Sequence, residues 1–233
     1  MDPLFRNVSA IQERVRAACA RVRRSPDSVR IIGVTKTVSA ERIREGVKAG
    51  ILSLGENYVQ ELRRKAEALE GLDITWHFIG HLQSNKAKTA VQWCRWIHTV
   101  DRESLARELD RQAQKTSRKI LVLLQVKIGD EESKSGIPAE RLPELFSAVE
   151  ALDGLQVRGL MALPPYEEDP ERTRPYFRTL HRLLGHLRRQ ARAPEDLTEL
   201  SMGMSHDFEV AVEEGATMIR IGTALFGSRS TSA

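Results

Sequence analysis

Arg30-Ile31-Ile32-Gly33-Val34-Thr35-Lys36, followed after a short gap by Ala40-Glu41-Arg42-Ile43-Arg44-Glu45-Gly46-Val47-Lys48, is the stretch on which the fold turns. The first piece is a short apolar run that reads as a strand and delivers a lysine at its end. The second carries a helical pattern. Outward from it, the same unit repeats. Strand-like stretches fall at 30–35, 51–54, 75–79, 96–100, 120–126, 155–162, 197–202 and 217–221. Helical patterns fall between them at 40–48, 59–69, 87–92, 102–115, 142–151, 174–190 and 208–214. Strict alternation of strand and helix argues for an α/β protein with a parallel sheet. Eight such units in 233 residues predict a closed (β/α)8 TIM barrel. A doubly wound open sheet is the rival. No Gly-, Ser- or Pro-rich linker divides the chain. One domain over 1–227 is therefore expected, with a flexible polar tail at 228–233.

One helix precedes the barrel. Leu4, Val8, Ile11, Val15, Ala18 and Val22 recur at spacings of three and four, with arginines on the outer face. It lacks the continuous apolar core of a signal peptide. Asp2, Glu13 and the direct passage into a strand count against a mitochondrial presequence. No apolar run reaches the length of a membrane span. The net charge of +4 is modest and spread along the chain, so it does not imply dedicated nucleic-acid binding. The two cysteines, Cys19 and Cys94, form no CxxC and no metal-ligand cluster, which suits a reducing cytoplasm.

Active sites of such barrels form at the C-terminal ends of the strands. Lys36 sits at the mouth of the first strand. A partly desolvated lysine there favours the neutral amine that Schiff-base chemistry needs; taken alone, it reads more readily as a surface lysine just past a strand. Gly55-Glu56-Asn57-Tyr58 follows the second strand, where Asn57 offers donors and acceptors or merely caps a helix. Within the third, His77 reads as a hydrogen-bonded barrel residue, and just after it His81 reads as an exposed one. Their spacing does not make a metal site.

The last two strands lead into Ser201-Met202-Gly203-Met204-Ser205 and Arg220-Ile221-Gly222-Thr223-Ala224. Loops after strands seven and eight often bind phosphate. Ser205, Gly222 and Thr223 fit that need, through open backbone N–H groups and hydroxyl donors. Capped glycine turns are the plain alternative. Arg220 lies within the apolar run Met218-Ile219-Arg220-Ile221, on the face opposite its isoleucines. If inward, it is a buried cation requiring an acceptor. That acceptor is a barrel carboxylate or a pyridine nitrogen, and an arginine would leave such a nitrogen unprotonated and weaken it as an electron sink.

The motifs together resemble the pyridoxal phosphate homeostasis proteins. The resemblance is carried by Gly33-Val34-Thr35-Lys36-Thr37, Gly55-Glu56-Asn57-Tyr58-Val59-Gln60-Glu61 and Trp76-His77-Phe78-Ile79-Gly80-His81-Leu82-Gln83-Ser84-Asn85-Lys86. Ser133-Lys134-Ser135-Gly136, Gly159-Leu160-Met161-Ala162, Ser201-Met202-Gly203-Met204-Ser205 and Arg220-Ile221-Gly222-Thr223-Ala224-Leu225-Phe226-Gly227 complete it. The resemblance implies a fold like the N-terminal barrel of alanine racemase. It implies pyridoxal 5'-phosphate as cofactor, with Lys36 as the aldimine lysine. Ser205, Gly222 and Thr223 would then meet the phosphate, Arg220 the pyridine nitrogen, and Asn57 would lie beside the ring. The implied role is vitamin B6 and amino-acid homeostasis, without robust catalysis.

Several expectations follow. The protein stores or delivers the cofactor, with apo-enzymes as possible recipients, no nucleic-acid or membrane partner, and a monomeric cytoplasmic state. A two-base racemase would need an opposing base. The chain leaves no room for the further β-domain that helps supply one in the racemases. A weak racemase and a cofactor-free Schiff-base aldolase are the alternatives.

Overall fold

The computed structural model describes residues 3–129 and 135–227. The expected tail at 228–233 and the Ser133-Lys134 half of one motif lie outside the described residues. Eight parallel strands close into a barrel in chain order: β1 (Arg30–Val34), β2 (Ser53–Glu56), β3 (Thr75–Phe78), β4 (Trp96–Val100), β5 (Ile120–Gln125), β6 (Leu155–Met161), β7 (Glu199–Met204) and β8 (Met218–Ile221). Closure comes from β1 pairing with β8, in the register Ile32↔Arg220. The helices are α1 (Pro3–Arg21), α2 (Ala40–Lys48), α3 (Val59–Ala68), α4 (Ala87–Trp93), α5 (Glu103–Lys115), α6 (Leu142–Glu150), α7 (Arg174–Arg188), α8 (Phe208–Glu213) and a last short turn α9 (Thr223–Phe226).

The expected (β/α)8 barrel with an extra first helix is therefore what forms. Two strands move. β2 spans Ser53–Glu56 rather than 51–54, and β7 spans Glu199–Met204 rather than 197–202. Each shift pulls residues expected in the following loop, Gly55 and Glu56 or Gly203 and Met204, into the sheet. The first helix ends before Val22, which is largely exposed, and buries Cys19 in its place.

The apolar residues divide into two cores. The large one lies between the sheet and its helices. The small one fills the barrel, with Ile32, Trp96, Leu123, Met161 and Met218 projecting inward from five strands. Strands covered on both faces are buried along nearly their whole length rather than at alternate positions, as β4, β5 and β8 are, although His98 and Thr99 in β4, Gln125 in β5 and Arg220 in β8 interrupt their apolar sequence. Polar residues in the same interior therefore need partners.

Helix α1 packs across α8 and α9. Arg14 Nη2 and Nε reach Glu209 at 2.7 and 3.0 Å, Arg24 donates to Val212 O and Ala216 O, and Asn7 donates to Leu225 O. On α7, Leu180, Leu184 and Leu187 are buried behind an exposed basic face. Among the described residues no helix is long and apolar enough to cross a membrane.

Candidate functional site

At the C-terminal end of β1, Lys36 is half-buried and lines a cavity of about 300 Å³ with Thr37, Ser39, Arg42, Gly222, Thr223 and Phe226. Among the described residues its ammonium makes no hydrogen bond or ion pair. A larger depression of about 530 Å³ lies at the opposite end, around Gln12, Arg16 and Arg30 beside the starts of β1 and β2. The βα loops and the predicted site residues belong to the Lys36 end, so the smaller cavity is the candidate site.

β8 delivers Gly222 and Thr223 to that cavity. Gly222 is the N-terminal cap of α9. A Cβ there would meet only Val34, at an ordinary 3.5 Å. The neighbouring protein atoms therefore do not demand a glycine, and the open approach to the backbone suits a ligand. Ser205, beyond β7, holds its hydroxyl 3.5 Å from the amide of Ala224, so the two terminal loops share one patch of donors. That contact is long for a hydrogen bond and leaves the hydroxyl free to serve a stronger acceptor.

Arg220 and Asn57 do not line the cavity. Arg220 points into the barrel and is 4% exposed. It donates to Ser201 Oγ at 2.7 Å and to Ala162 O at 3.0 Å. Among the described residues Arg220 makes no salt bridge of the kind weighed from the sequence, and its hydrogen-bond partners are neutral. Burial lowers the Arg220 pKa to about 10, opposed by the more distant Asp207 carboxylate, so the side chain stays charged at neutral pH. Asn57 follows β2, and the cap of α3 is Tyr58 rather than Asn57. Its Oδ1 is buried without a partner, an acceptor left over at the barrel mouth. Gly80 fixes its backbone: a Cβ at Gly80 would lie 2.1 Å from Asn57 O, so only glycine lets the loop after β3 close on it.

Behind Arg220 runs a chain the sequence did not reveal. Ser201 Oγ lies 2.9 Å from His98 Nδ1, and His98 Nε2 lies 2.9 Å from His77 Nδ1. His77 is thus the hydrogen-bonded barrel residue expected, stacked on Trp96. Arg220 donates to Ser201, so the hydroxyl hydrogen goes to His98. By hydrogen-bond logic His98 then donates from Nε2 to His77, which leaves His77 Nε2–H unpartnered, as observed. Burial, aided by the Arg30 cation, holds His77 at a pKa of about 3. Burial and the neighbouring His77, Arg220 and Arg30 hold His98 well below its usual range. Both rings are therefore neutral.

A second network was also missed. Lys65, on the apolar stripe of α3, is 3% exposed. Its ammonium donates to Thr35 O at 2.5 Å, Glu56 Oε1 at 2.5 Å and Glu61 Oε2 at 2.7 Å. A signal was present: Lys65 interrupts the helical spacing of Val59, Leu62 and Ala66, all buried. Cys19 and Cys94 are both buried, and burial raises both thiols, so neither is a reactive nucleophile. His81 is exposed, with Ser135 Oγ 3.5 Å from its Nδ1.

Two features fit a phosphorylated pyridine aldehyde: the Lys36 amine, unpaired among the described residues, and the donor patch of Ser205, Gly222 and Thr223. Comparisons point the same way. Residues 7–230 match the family model for the alanine racemase N-terminal domain. The pyridoxal phosphate homeostasis protein of Aquifex aeolicus is 48% identical over 222 residues, covering 95% of this chain and 96% of the relative. That of Pseudomonas aeruginosa is 40% identical over 233 residues, covering 100% and 99%. The solved structure of PipY from Synechococcus elongatus with PLP bound superposes with a TM-score of 0.82 at 42% identity, over 93% of this chain and 100% of that one. An alanine racemase of Clostridium difficile superposes at 0.71 with 12% identity, over 97% of this chain and 57% of its own, and shares the fold alone. The chain belongs to the pyridoxal phosphate homeostasis protein family, built on the alanine racemase N-terminal barrel.

Proposed function

We propose that this protein binds pyridoxal 5'-phosphate at Lys36 and serves vitamin B6 and amino-acid homeostasis by storing or delivering it, as a cytoplasmic monomer that hands it to apo-enzymes. The observation that carries the reading is Lys36 itself: a half-buried amine with no internal partner among the described residues, in one cavity with Gly222 and Thr223. When bound, the cofactor supplies an aldehyde that condenses reversibly with a primary amine, with loss of water. Ser205, Gly222 and Thr223 hold the phosphate through hydroxyls and backbone N–H groups. Arg220 would be the donor to the pyridine nitrogen, and an arginine, which keeps its proton, would leave that nitrogen unprotonated. That suppresses carbanion chemistry and favours holding over turnover. Asn57 steadies the ring from the β2 side.

The test is the visible spectrum of the protein with pyridoxal phosphate, before and after borohydride, followed by peptide mapping. The unaltered protein gains an imine band that reduction removes, and the pyridoxyl group maps to Lys36. Lys36→Ala abolishes both. A full imine band in Lys36→Ala refutes the assignment. Light scattering and transfer to an apo-enzyme test the monomer and the delivery role.

A further inference from the structure

Both residues that flank Lys36 are tied to one buried ion cluster contributed by other parts of the chain. Thr35 donates from Oγ1 to Glu56 Oε1 at 2.7 Å, and its carbonyl accepts from Lys65 at 2.5 Å. Thr37 donates its backbone N–H to Glu61 Oε2 at 3.0 Å. Glu56 and Glu61 are joined through the Lys65 ammonium, whose three N–H groups are all engaged. Glu56 also accepts from the backbone of Asn57 through its second oxygen. Thr37 itself sits at φ 63, in the left-handed region that a β-branched residue rarely adopts. Such a conformation persists only where its surroundings enforce it, and the Glu61 carboxylate on its N–H is that enforcement.

We propose that the Lys65–Glu56–Glu61 cluster is a positioning device for Lys36, holding the turn through Thr35 and Thr37 so that the Lys36 amine faces an aldehyde ligand; this rests on the cofactor reading above. Glu56 grips the residue before Lys36, Glu61 the residue after it, and Lys65 locks the two carboxylates together. The same geometry separates the roles of the two lysines. Lys65 is buried with every N–H committed and does not react. Among the described residues, Lys36 is left with a free amine.

Glu61 is the member nearest solvent, so its variants leave the buried Lys65–Glu56 pair in place. The experiment compares two probes: pyridoxal phosphate, which can bond to Lys36, and pyridoxine 5'-phosphate, which carries the same phosphate and ring with an alcohol in place of the aldehyde. In Glu61→Ala, pyridoxal phosphate binding and the rate of borohydride-trappable Lys36 adduct formation fall about tenfold or more, while pyridoxine 5'-phosphate affinity stays within about twofold. Glu61→Gln restores adduct formation, because its amide oxygen still accepts from Thr37 N–H. Thermal melting confirms that both variants are folded. Equal losses for both probes, or no loss for either, overturn the proposal, since a merely structural cluster does not distinguish them. Absence of any Lys36 adduct in the unaltered protein refutes the cofactor reading itself, by a different observation, and the positioning role with it.

Discussion

The Lys65–Glu56–Glu61 cluster behind β1 and the His77–His98–Ser201–Arg220 chain inside the barrel are both buried, yet only the first contains its own counter-charge. Lys65 meets two carboxylates within 2.7 Å. Arg220 meets a hydroxyl and a carbonyl. The histidines behind it add no anion, because burial keeps them neutral. On the proposed reading, the difference separates scaffold from site. A cluster that neutralises itself holds a shape, whereas a buried cation with neutral neighbours keeps its field for a ligand to answer.

The sharpest way to break this comparison is to remove each cation. Lys65→Met strands the fully buried Glu56 and is expected to cost about 3–5 kcal/mol in urea unfolding. Arg220→Met removes a cation that lacks a contacting anion, so the protein without ligand should change by less than about 1 kcal/mol or gain stability. The same variant should lose about tenfold in pyridoxal phosphate affinity. Equal stability losses in the two variants would show that Arg220 is as internally compensated as Lys65.

Acid sharpens the contrast next. His77 and His98 have folded pKa values below their unfolded ones, so below about pH 6.5 the unfolded chain binds more protons than the folded chain. Stability therefore falls as the pH drops from that point, for His77 down to about 3 and by up to ~1.4 kcal/mol per pH unit, and His98 acts in the same direction. The burial cost on Glu61 is outweighed by its bonds from Lys65 and Thr37, which hold that carboxyl below its usual range. Its contribution is present above the ordinary carboxylate pKa and is lost only at more acid pH. Urea midpoints measured between pH 7.5 and pH 5 (roughly spanning the histidine range) should fall in the native protein and flatten in His98→Gln. An unchanged slope in that variant would mean that His98 takes up its proton equally in the folded and unfolded chains, so that burial does not lower its pKa.

The smallest expected effect concerns Asn57. Its buried Oδ1 has no partner, so Asn57→Ala should shift stability by less than about 1 kcal/mol, possible in either direction. Pyridoxal phosphate affinity should nevertheless fall by several-fold, read by absorbance titration. A large loss of stability would place Asn57 with the scaffold.

The barrel was legible because short, mostly apolar strands alternate with helices without interruption. The two displaced strands show where that reading fails. Ile51 and Leu52 look more strand-like than Gly55 and Glu56, but the barrel uses the latter pair, because Glu56 finds Lys65 on α3. A partner on another element is invisible to a reading of local hydrophobicity. Lys36, Gly222 and Thr223 were readable from their places at strand ends, and they share a cavity. Ser201 and His98 were not, since a serine or a histidine in a buried strand acquires meaning only from what lies across the barrel, here Arg220 and each other.

The first helix has a consequence for how the molecule is made. Its apolar face, Leu4 through Cys19, packs on α8 and α9, and β1 pairs with β8. On a ribosome, those partners emerge roughly 10–40 s after the helix does, at ordinary rates of synthesis. Throughout that interval the leading segment has an uncovered greasy stripe and an open strand edge. Birth order and assembly order thus run opposite to each other: the earliest residues to appear are the last to be covered, and a chain halted before β8 cannot shut its ring.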